Sequence, residues 1–196
     1  MGIRLQTTAQ GAGILKYIMR TCTGREDYAK YVHGKIPNLI ELKDEDSDPM
    51  QNFMNALEAA EDDEAIHLED DVILNDDFQL RAKEVIDANP NMVIQFFSMR
   101  KADLVIGTRV ENGSTFLAAV CFYLPPKMSK GLRAYFPTWE RLKEHPTGLD
   151  LTIADYLKKT RQKYLVHCPN LADHRVGKSE IDSRRSSKRV SLTFEG

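Results

Sequence analysis

Cysteine, net charge and long hydrophobic runs are all scarce in this 196-residue chain. Its three cysteines, Cys22, Cys121 and Cys168, lie far apart without a CxxC pair, so neither a disulfide framework nor a cysteine zinc site is expected. Lys plus Arg number 27 and Asp plus Glu 29, and the net charge of −2 excludes a uniformly basic nucleic-acid clamp. The longest apolar run, residues 116–124, is far shorter than the roughly 20 residues that span a membrane. We therefore expect a soluble cytoplasmic protein.

The order of apolar segments indicates one domain over residues 1–196 with an α/β fold. Residues 3–7 are predicted to form the first strand, and apolar residues at helical spacing occupy 14–19. Asp48 followed by Pro49 begins a predicted helix over 49–60, because Asp caps a helix and Pro suits its first turn. Residues 65–74, 92–97 and 115–124 resemble buried strands. This alternation predicts a mixed, mainly parallel sheet flanked by helices.

An acidic triplet, Glu69-Asp70-Asp71, interrupts the apolar segment 65–74, which places it at the end of, or within, a half-buried strand. Burying an unpaired charge costs several kcal/mol, so the triplet needs a compensating partner. Mg²⁺ and Mn²⁺ prefer carboxylate oxygens and often bridge to phosphates. Alternation along a strand would place Glu69 and Asp71 on one face and Asp70 on the other. The alternative is a solvated run of charge, which is our interpretation of residues 61–64.

The segment that contains the triplet, HLEDDVILNDDF at 67–78, resembles the metal-binding segment of GT-A type glycosyltransferases. It is close to the LEDDV form of lipopolysaccharide-type sugar transferases and small bacteriophage glycosyltransferases. The resemblance implies a GT-A fold and the metal-dependent transfer of a sugar from a nucleotide-diphosphate sugar to a hydroxyl acceptor. It implies that Asp71 binds Mn²⁺ or Mg²⁺, with Glu69 or Asp70 on a hydroxyl of the ribose or the sugar.

The same resemblance implies functional roles for two later segments. The segment that ends at His174 resembles the one that completes the metal site, although a lone histidine is also a common surface or capping residue. The segment that ends at Asp150 resembles the one that supplies the catalytic base in inverting enzymes of this type. Asp150 would take the proton of the acceptor hydroxyl, and its alternative role is that of a helix cap.

The nucleotide is expected near the residues that follow the first strand. By position alone, Thr7 and Thr8 contact the nucleotide and Arg25 joins them. Hydroxyl side chains after a strand are also common turn residues, so local turn chemistry remains the alternative for this pair.

A basic, serine-containing loop is predicted over residues 177–190. Between positions 175 and 189 there are six Lys or Arg residues and two acids. The loop is either a solvated flexible segment or a lid that places Lys178, Ser179 and Arg184 on the donor phosphates. It could instead contact a polyanionic acceptor such as DNA through salt-sensitive contacts.

Two other classes of protein remain open from the sequence. A nucleotidyltransferase also uses acids and a metal in an α/β sheet, but it releases pyrophosphate rather than a nucleoside diphosphate. A non-enzymatic nucleic-acid-binding module would depend on the basic loop. For a glycosyltransferase, a saccharide and a hydroxymethylated base of phage DNA are both open as acceptors.

Overall fold

A computed structural model describes residues 14–104, 107–177 and 189–196. The predicted strand at 3–7 and the proposed nucleotide contacts Thr7 and Thr8 lie outside these residues. The same holds for Lys178, Ser179 and Arg184, and for most of the predicted basic loop. Among the described residues, none of the helices has the length and apolar character that a membrane span requires.

The described elements alternate between strands and helices along most of the chain. They are β1 (Lys16–Cys22), α1 (Glu26–Lys35), β2 (Leu39–Asp44), α2 (Pro49–Ala60), β3 (Ala65–Glu69), β4 (Val72–Leu74), α3 (Phe78–Ala88), β5 (Val93–Gln95), β6 (Gly107–Asn112), β7 (Cys121–Leu124), α4 (Met128–Tyr135), α5 (Leu149–Lys159), β8 (Lys163–Cys168) and β9 (Ala172–His174).

A seven-stranded sheet forms the centre of the fold, in the order β2-β1-β3-β7-β5-β8-β6. Strands β2, β1 and β3 are parallel neighbours, and β5 is parallel to β8. Strands β7 and β6 run antiparallel to their neighbours. Five of these seven strands therefore share one direction, which confirms the predicted mixed, mainly parallel sheet.

Alternate residues of each strand point to opposite faces of this sheet, so each face has its own layer of side chains. Helices cover both of these layers. On one face Met19 and Ile66 pack in a core with Ile86 of α3. On the other face Phe122 packs with Phe53 of α2 and with α5. The predicted α2 is confirmed, and the Asp48 carboxylate caps it by accepting hydrogen bonds from the backbone N–H of Met50 and Gln51.

The described elements differ from the sequence-based predictions in places, and of the strand predicted at 115–124 only β7 is a strand. Residues 16–22 form a strand rather than a helix, because β1 lies between β2 and β3, where both of its edges are paired. Of the two positions expected for the acidic triplet, the structure has it at the end of a strand, because β3 ends at Glu69 and the chain turns at Asp70 and Asp71 before β4. Strand β4 then leaves the central sheet and pairs with β9 in a separate two-stranded sheet.

Candidate active site

The acidic turn lies where the central sheet meets the small β4–β9 sheet. In the antiparallel β4–β9 pair, Val72 is opposite His174. The backbone N–H of Arg175 donates to the carbonyl of Asp71 at 2.8 Å, which extends this pairing by one residue. The small sheet thereby places His174 beside Asp71, although more than 100 residues separate them in the sequence.

Glu69, Asp71 and His174 form a cluster of metal-ligand type, in which one ligand atom from each lies within 4.8 Å of the others. The Nε2 atom of His174 is 3.2 Å from Oδ2 of Asp71, and both residues are buried. The second oxygen of Asp71, Oδ1, is buried and has no hydrogen-bond partner among the described residues. Carboxylate oxygens with one imidazole suit Mn²⁺, and an unsatisfied buried oxygen is what a cation would bind. The residues present therefore fit a divalent metal.

Arginine side chains also compensate the triplet. The Nη1 atom of Arg25 lies 2.8 Å from Oδ1 of Asp70 and 2.8 Å from Oδ2 of Asp71. The Nη2 atom of the buried Arg20 lies 3.7 Å from Oε1 of Glu69. The expectation that Asp70 points away from Asp71 is therefore wrong, because the turn brings both carboxylates to one guanidinium. The triplet has three negative charges and these two arginines have two positive charges, so one negative charge remains for another cation.

The pKa values of the three acids differ in direction. Burial, and then the neighbouring Asp71, raise the pKa of Glu69 above its ordinary value. Burial also raises the pKa of Asp70, although Arg25 opposes it. Burial would raise the pKa of Asp71 as well, but its contacts with His174 and Arg25 outweigh that effect and lower it. Asp71 is consequently the carboxylate that is most firmly ionised and ready to bind a cation.

The Nε2 atom of His174 has two contacts that it cannot satisfy together. It is 3.2 Å from Oδ2 of Asp71 and 2.9 Å from Nη2 of Arg189. A carboxylate only accepts hydrogen bonds and a guanidinium only donates them, whereas one ring nitrogen carries either a proton or a lone pair. A cation held by both Nε2 and Asp71 would satisfy these two acceptor atoms, and Arg189 would then need another partner.

A cavity of about 120 Å³ adjoins the cluster at the carboxyl ends of β1 and β3. In a largely parallel sheet, this edge is the usual place for a ligand. The cavity lining includes the polar or ionisable side chains of Arg20, Thr21, Cys22, Arg25, Asp44, Asn52, Glu69, Asp70, Asp71, Thr147, Asp150 and Arg189. The acidic turn and Asp150, which were singled out from separate parts of the sequence, therefore face one cavity.

Asp150 lies in the first turn of α5 and outside the Glu69–Asp71–His174 cluster. Its Oδ2 accepts a hydrogen bond of 3.1 Å from the backbone N–H of Ala118, and its Oδ1 accepts one of 3.0 Å from Leu151. Ala118 has a φ of 64°, which few residues other than glycine adopt, and Asp150 holds this loop in place. Two N–H donors fix the orientation of the carboxylate and leave lone pairs free.

A second cavity, of about 170 Å³, shares Arg25 and Asp71 with the first. His174 and Arg175 also line it, together with Tyr28. The guanidinium of Arg175 lies 4.9 Å from the ring centre of Tyr28, which is a cation–π distance. This side of the acidic turn is therefore mainly cationic and suits phosphate oxygens.

The sequence-based candidates did not include six residues that line the two cavities: Arg20, Thr21, Asp44, Asn52, Arg175 and Arg189. Thr21 donates to Asp70 at 2.8 Å, and the Nδ2 atom of Asn52 donates to the carbonyl of Thr21 at 3.2 Å. Arg20 was detectable as a lone charge in the apolar run that forms β1. Thr21 and Asn52 carried no such signal, because their positions depend on which strands become neighbours.

The chain thus has a mainly parallel α/β fold with a carboxylate–imidazole cluster beside a cavity at its sheet edge. No protein-family model matches it, and no curated protein matches it. Among solved structures, it is similar to one described as a glucose-1-phosphate thymidylyltransferase from Bacillus anthracis in complex with sucrose. That likeness has a TM-score of 0.48 and 10% identity, and covers 82% of this chain and 89% of the other.

A second similar structure is that of A197 from STIV, with a TM-score of 0.47 and 12% identity. It covers 92% of this chain and 95% of the other. At such identities and TM-scores, neither likeness assigns the chain to a family, so its function is inferred from the site itself.

Proposed function

We propose that this protein is a metal-dependent glycosyltransferase of the GT-A type, which transfers a sugar from a nucleotide-diphosphate sugar to a hydroxyl acceptor. One observation carries the proposal: the cavity that adjoins the Glu69–Asp71–His174 cluster is also lined by Asp150, which stands apart from that cluster. A cation site and a separate carboxylate in one cavity are the two elements that such a transfer needs.

The donor end of the site is assigned to the acidic turn. Asp71 and His174 would hold Mn²⁺ or Mg²⁺, and Glu69 is close enough to be a third ligand. When bound, the cation neutralises the charge of the departing diphosphate. Arg25 and Arg175 line the adjoining cationic cavity and would bind phosphate oxygens.

Asp70 is assigned to a hydroxyl of the donor, since it lines the main cavity but lies outside the metal cluster. Thr21 and Arg25 fix its carboxylate. In this proposal Lys178, Ser179 and Arg184 keep their predicted role at the donor phosphates, and Thr7 and Thr8 keep theirs at the nucleotide.

The acceptor end is assigned to Asp150. Its carboxylate accepts the proton of the acceptor hydroxyl while that oxygen bonds to the anomeric carbon. The bond from the anomeric carbon to the diphosphate breaks at the same time, and the nucleoside diphosphate leaves with the bonding electrons. Attack opposite the leaving group inverts the anomeric configuration, so an inverted product is expected.

The role of Asp150 favours sugar transfer over nucleotidyl transfer. In nucleotidyl transfer to a sugar phosphate, the attacking group is an anionic phosphate, which needs no base. A carboxylate with its lone pairs directed to the cavity would repel such a nucleophile. A neutral hydroxyl acceptor, whether of a saccharide or of a modified DNA base, is the chemistry that Asp150 suits.

The test is a thermal-shift screen of nucleotide sugars with and without Mn²⁺, followed by product analysis with candidate acceptors. A donor that binds only the folded protein raises its melting temperature. We expect release of a nucleoside diphosphate, and a loss of about 10²- to 10⁴-fold in kcat for Asp150→Asn. Binding of Mn²⁺ should be unchanged in that variant, and Asp155→Asn, on the same helix, is its control.

Two results would contradict the proposal. Release of pyrophosphate would identify a nucleotidyltransferase. Salt-dependent DNA affinity without turnover, surviving the loss of all three acids of the triplet, would identify a binding module.

A further inference from the structure

Arg189 contacts the same atom of His174 that faces Asp71. Its Nη2 lies 2.9 Å from Nε2 of the imidazole, and its side chain lines the main cavity. Because a guanidinium can only donate, this contact is a hydrogen bond in the tautomer whose proton is on Nδ1, where Nε2 keeps its lone pair. A cation shared by Asp71 and Nε2 needs that same lone pair.

The segment that contains Arg189 is attached to the strand that contains His174. The backbone N–H of Ser191 donates to Oδ1 of Asp173 at 2.6 Å. The hydroxyl of Ser191 donates to Oδ1 of the buried Asn170 at 2.7 Å. Arg189 is two residues before Ser191, so these hydrogen bonds hold it next to the imidazole of His174.

Arg25, which contacts the Asp71 carboxylate, has a different relation to the cation. It contacts Oδ2 of Asp71, while Oδ1 of Asp71 has no partner among the described residues. A cation can therefore bind Asp71 through Oδ1 without displacing Arg25. Among the described arginines that contact this cluster, Arg189 is the one whose contact involves the atom of His174 that the cation would bind.

From this geometry we infer that Arg189 couples the binding of the divalent cation to the binding of a diphosphate. Without a diphosphate, Arg189 occupies the imidazole and the cation binds weakly. A diphosphate in the cavity offers the guanidinium a stronger, two-point partner, which frees His174 for the cation. The inference rests on the metal site of the proposed function and adds that cation and diphosphate bind cooperatively.

The test measures Mn²⁺ affinity by electron paramagnetic resonance, with the full chain and with pyrophosphate as the probe. Arg189→Met removes the donors and keeps an unbranched side chain. We expect pyrophosphate to tighten Mn²⁺ binding to the wild type about tenfold, after correction for the complex that the two form in solution. Arg189→Met should bind Mn²⁺ alone about tenfold more tightly than the wild type, and it should gain less from pyrophosphate than the wild type does.

Two further variants serve as comparisons. Arg133→Met changes an exposed arginine of α4 that pairs with Glu58, and it should behave as the wild type does. Arg189→Lys keeps a cation but loses the two-point contact, so it should keep part of the cooperativity, which gives a second measurement if Arg189→Met does not fold.

The outcomes separate this inference from the proposed function. Equal or weaker Mn²⁺ binding by Arg189→Met, with a wild type that binds Mn²⁺, overturns the inference alone. A loss of cooperativity in Arg189→Lys equal to that in Arg189→Met also contradicts it. Failure of every variant to bind Mn²⁺ removes the metal site and both proposals with it. Cooperative Mn²⁺ binding without any sugar transfer supports the inference and overturns the proposed function.

Discussion

Asp71→Asn is the substitution that tests the acidic turn most directly. The change keeps the shape of the side chain and removes one negative charge. The amide oxygen can still accept a hydrogen bond from Arg25, which lies 2.8 Å from Oδ2 in the wild type. The variant should therefore fold, bind the cation poorly and lose metal-dependent activity.

The effect of Asp71→Asn on stability follows from two opposing interactions. At an effective dielectric constant of about 20, the attraction between Asp71 and Arg25 at 2.8 Å is about 6 kcal/mol. The repulsion between Asp71 and Glu69, within 4.8 Å, is about 3.5 kcal/mol. The free energy of unfolding without metal should fall by at most about 2 kcal/mol, because the variant also avoids burying a charge.

The effect on function should be much larger. The loss of an anionic ligand from a three-residue cluster is expected to reduce kcat/KM about 10³-fold, which corresponds to about 4 kcal/mol. The assays are Mn²⁺-dependent release of nucleoside diphosphate and urea unfolding in EDTA. Asp77→Asn, an exposed acid of the same segment, is the control. Metal-dependent activity within threefold of the wild type in Asp71→Asn would refute the reasoning.

Three further predictions concern the ionisable side chains of Glu69, His67 and Asp103. Burial raises the pKa of Glu69, so its ionised form destabilises the metal-free protein at neutral pH. As the pH falls from 7.5 toward 4.5, the wild type should gain stability relative to Glu69→Gln in urea unfolding. Burial lowers the pKa of His67 to about 3 from 6.5. On acidification the unfolded chain therefore binds a proton at His67 at a higher pH than the folded protein does. At pH 5 this should lower the free energy of unfolding by about 2 kcal/mol, and His67→Phe should abolish this loss. The buried Asp103 contacts Arg100 and Arg109, so Asp103→Ala should cost about 3–5 kcal/mol in unfolding free energy without changing Mn²⁺ affinity.

Each of these predictions has an outcome that contradicts it. Parallel pH profiles for the wild type and Glu69→Gln would mean that Glu69 is not destabilising when ionised. An unchanged acid-induced loss in His67→Phe would assign that loss to other groups. A stable Asp103→Ala variant would show that solvent can compensate both arginines.

Local sequence patterns predicted those elements that depend on contacts between residues a few positions apart. Asp48 and Pro49 mark the start of α2, because a cap bonds to amides two and three residues later. The acidic triplet was recognisable because its apolar neighbours raise the cost of burying charge. Residues 16–22 were misread, since an apolar segment of that length is compatible with a helix until its neighbours are known. Whether the strand ends at the triplet or continues through it was left open, because the turn at Asp70 depends on the pairing of β4 with β9.

By itself the sequence determined an α/β fold with a mainly parallel sheet, and it identified Asp71, His174 and Asp150 as candidates from separate motifs. Only the tertiary structure decided which of these residues meet. The pairing of β4 with β9 brings His174 to Asp71, and the cavity at the ends of β1 and β3 adds Asp150. Local patterns depend on neighbours a few residues away, whereas contacts across a sheet depend on strand order, which no local segment encodes.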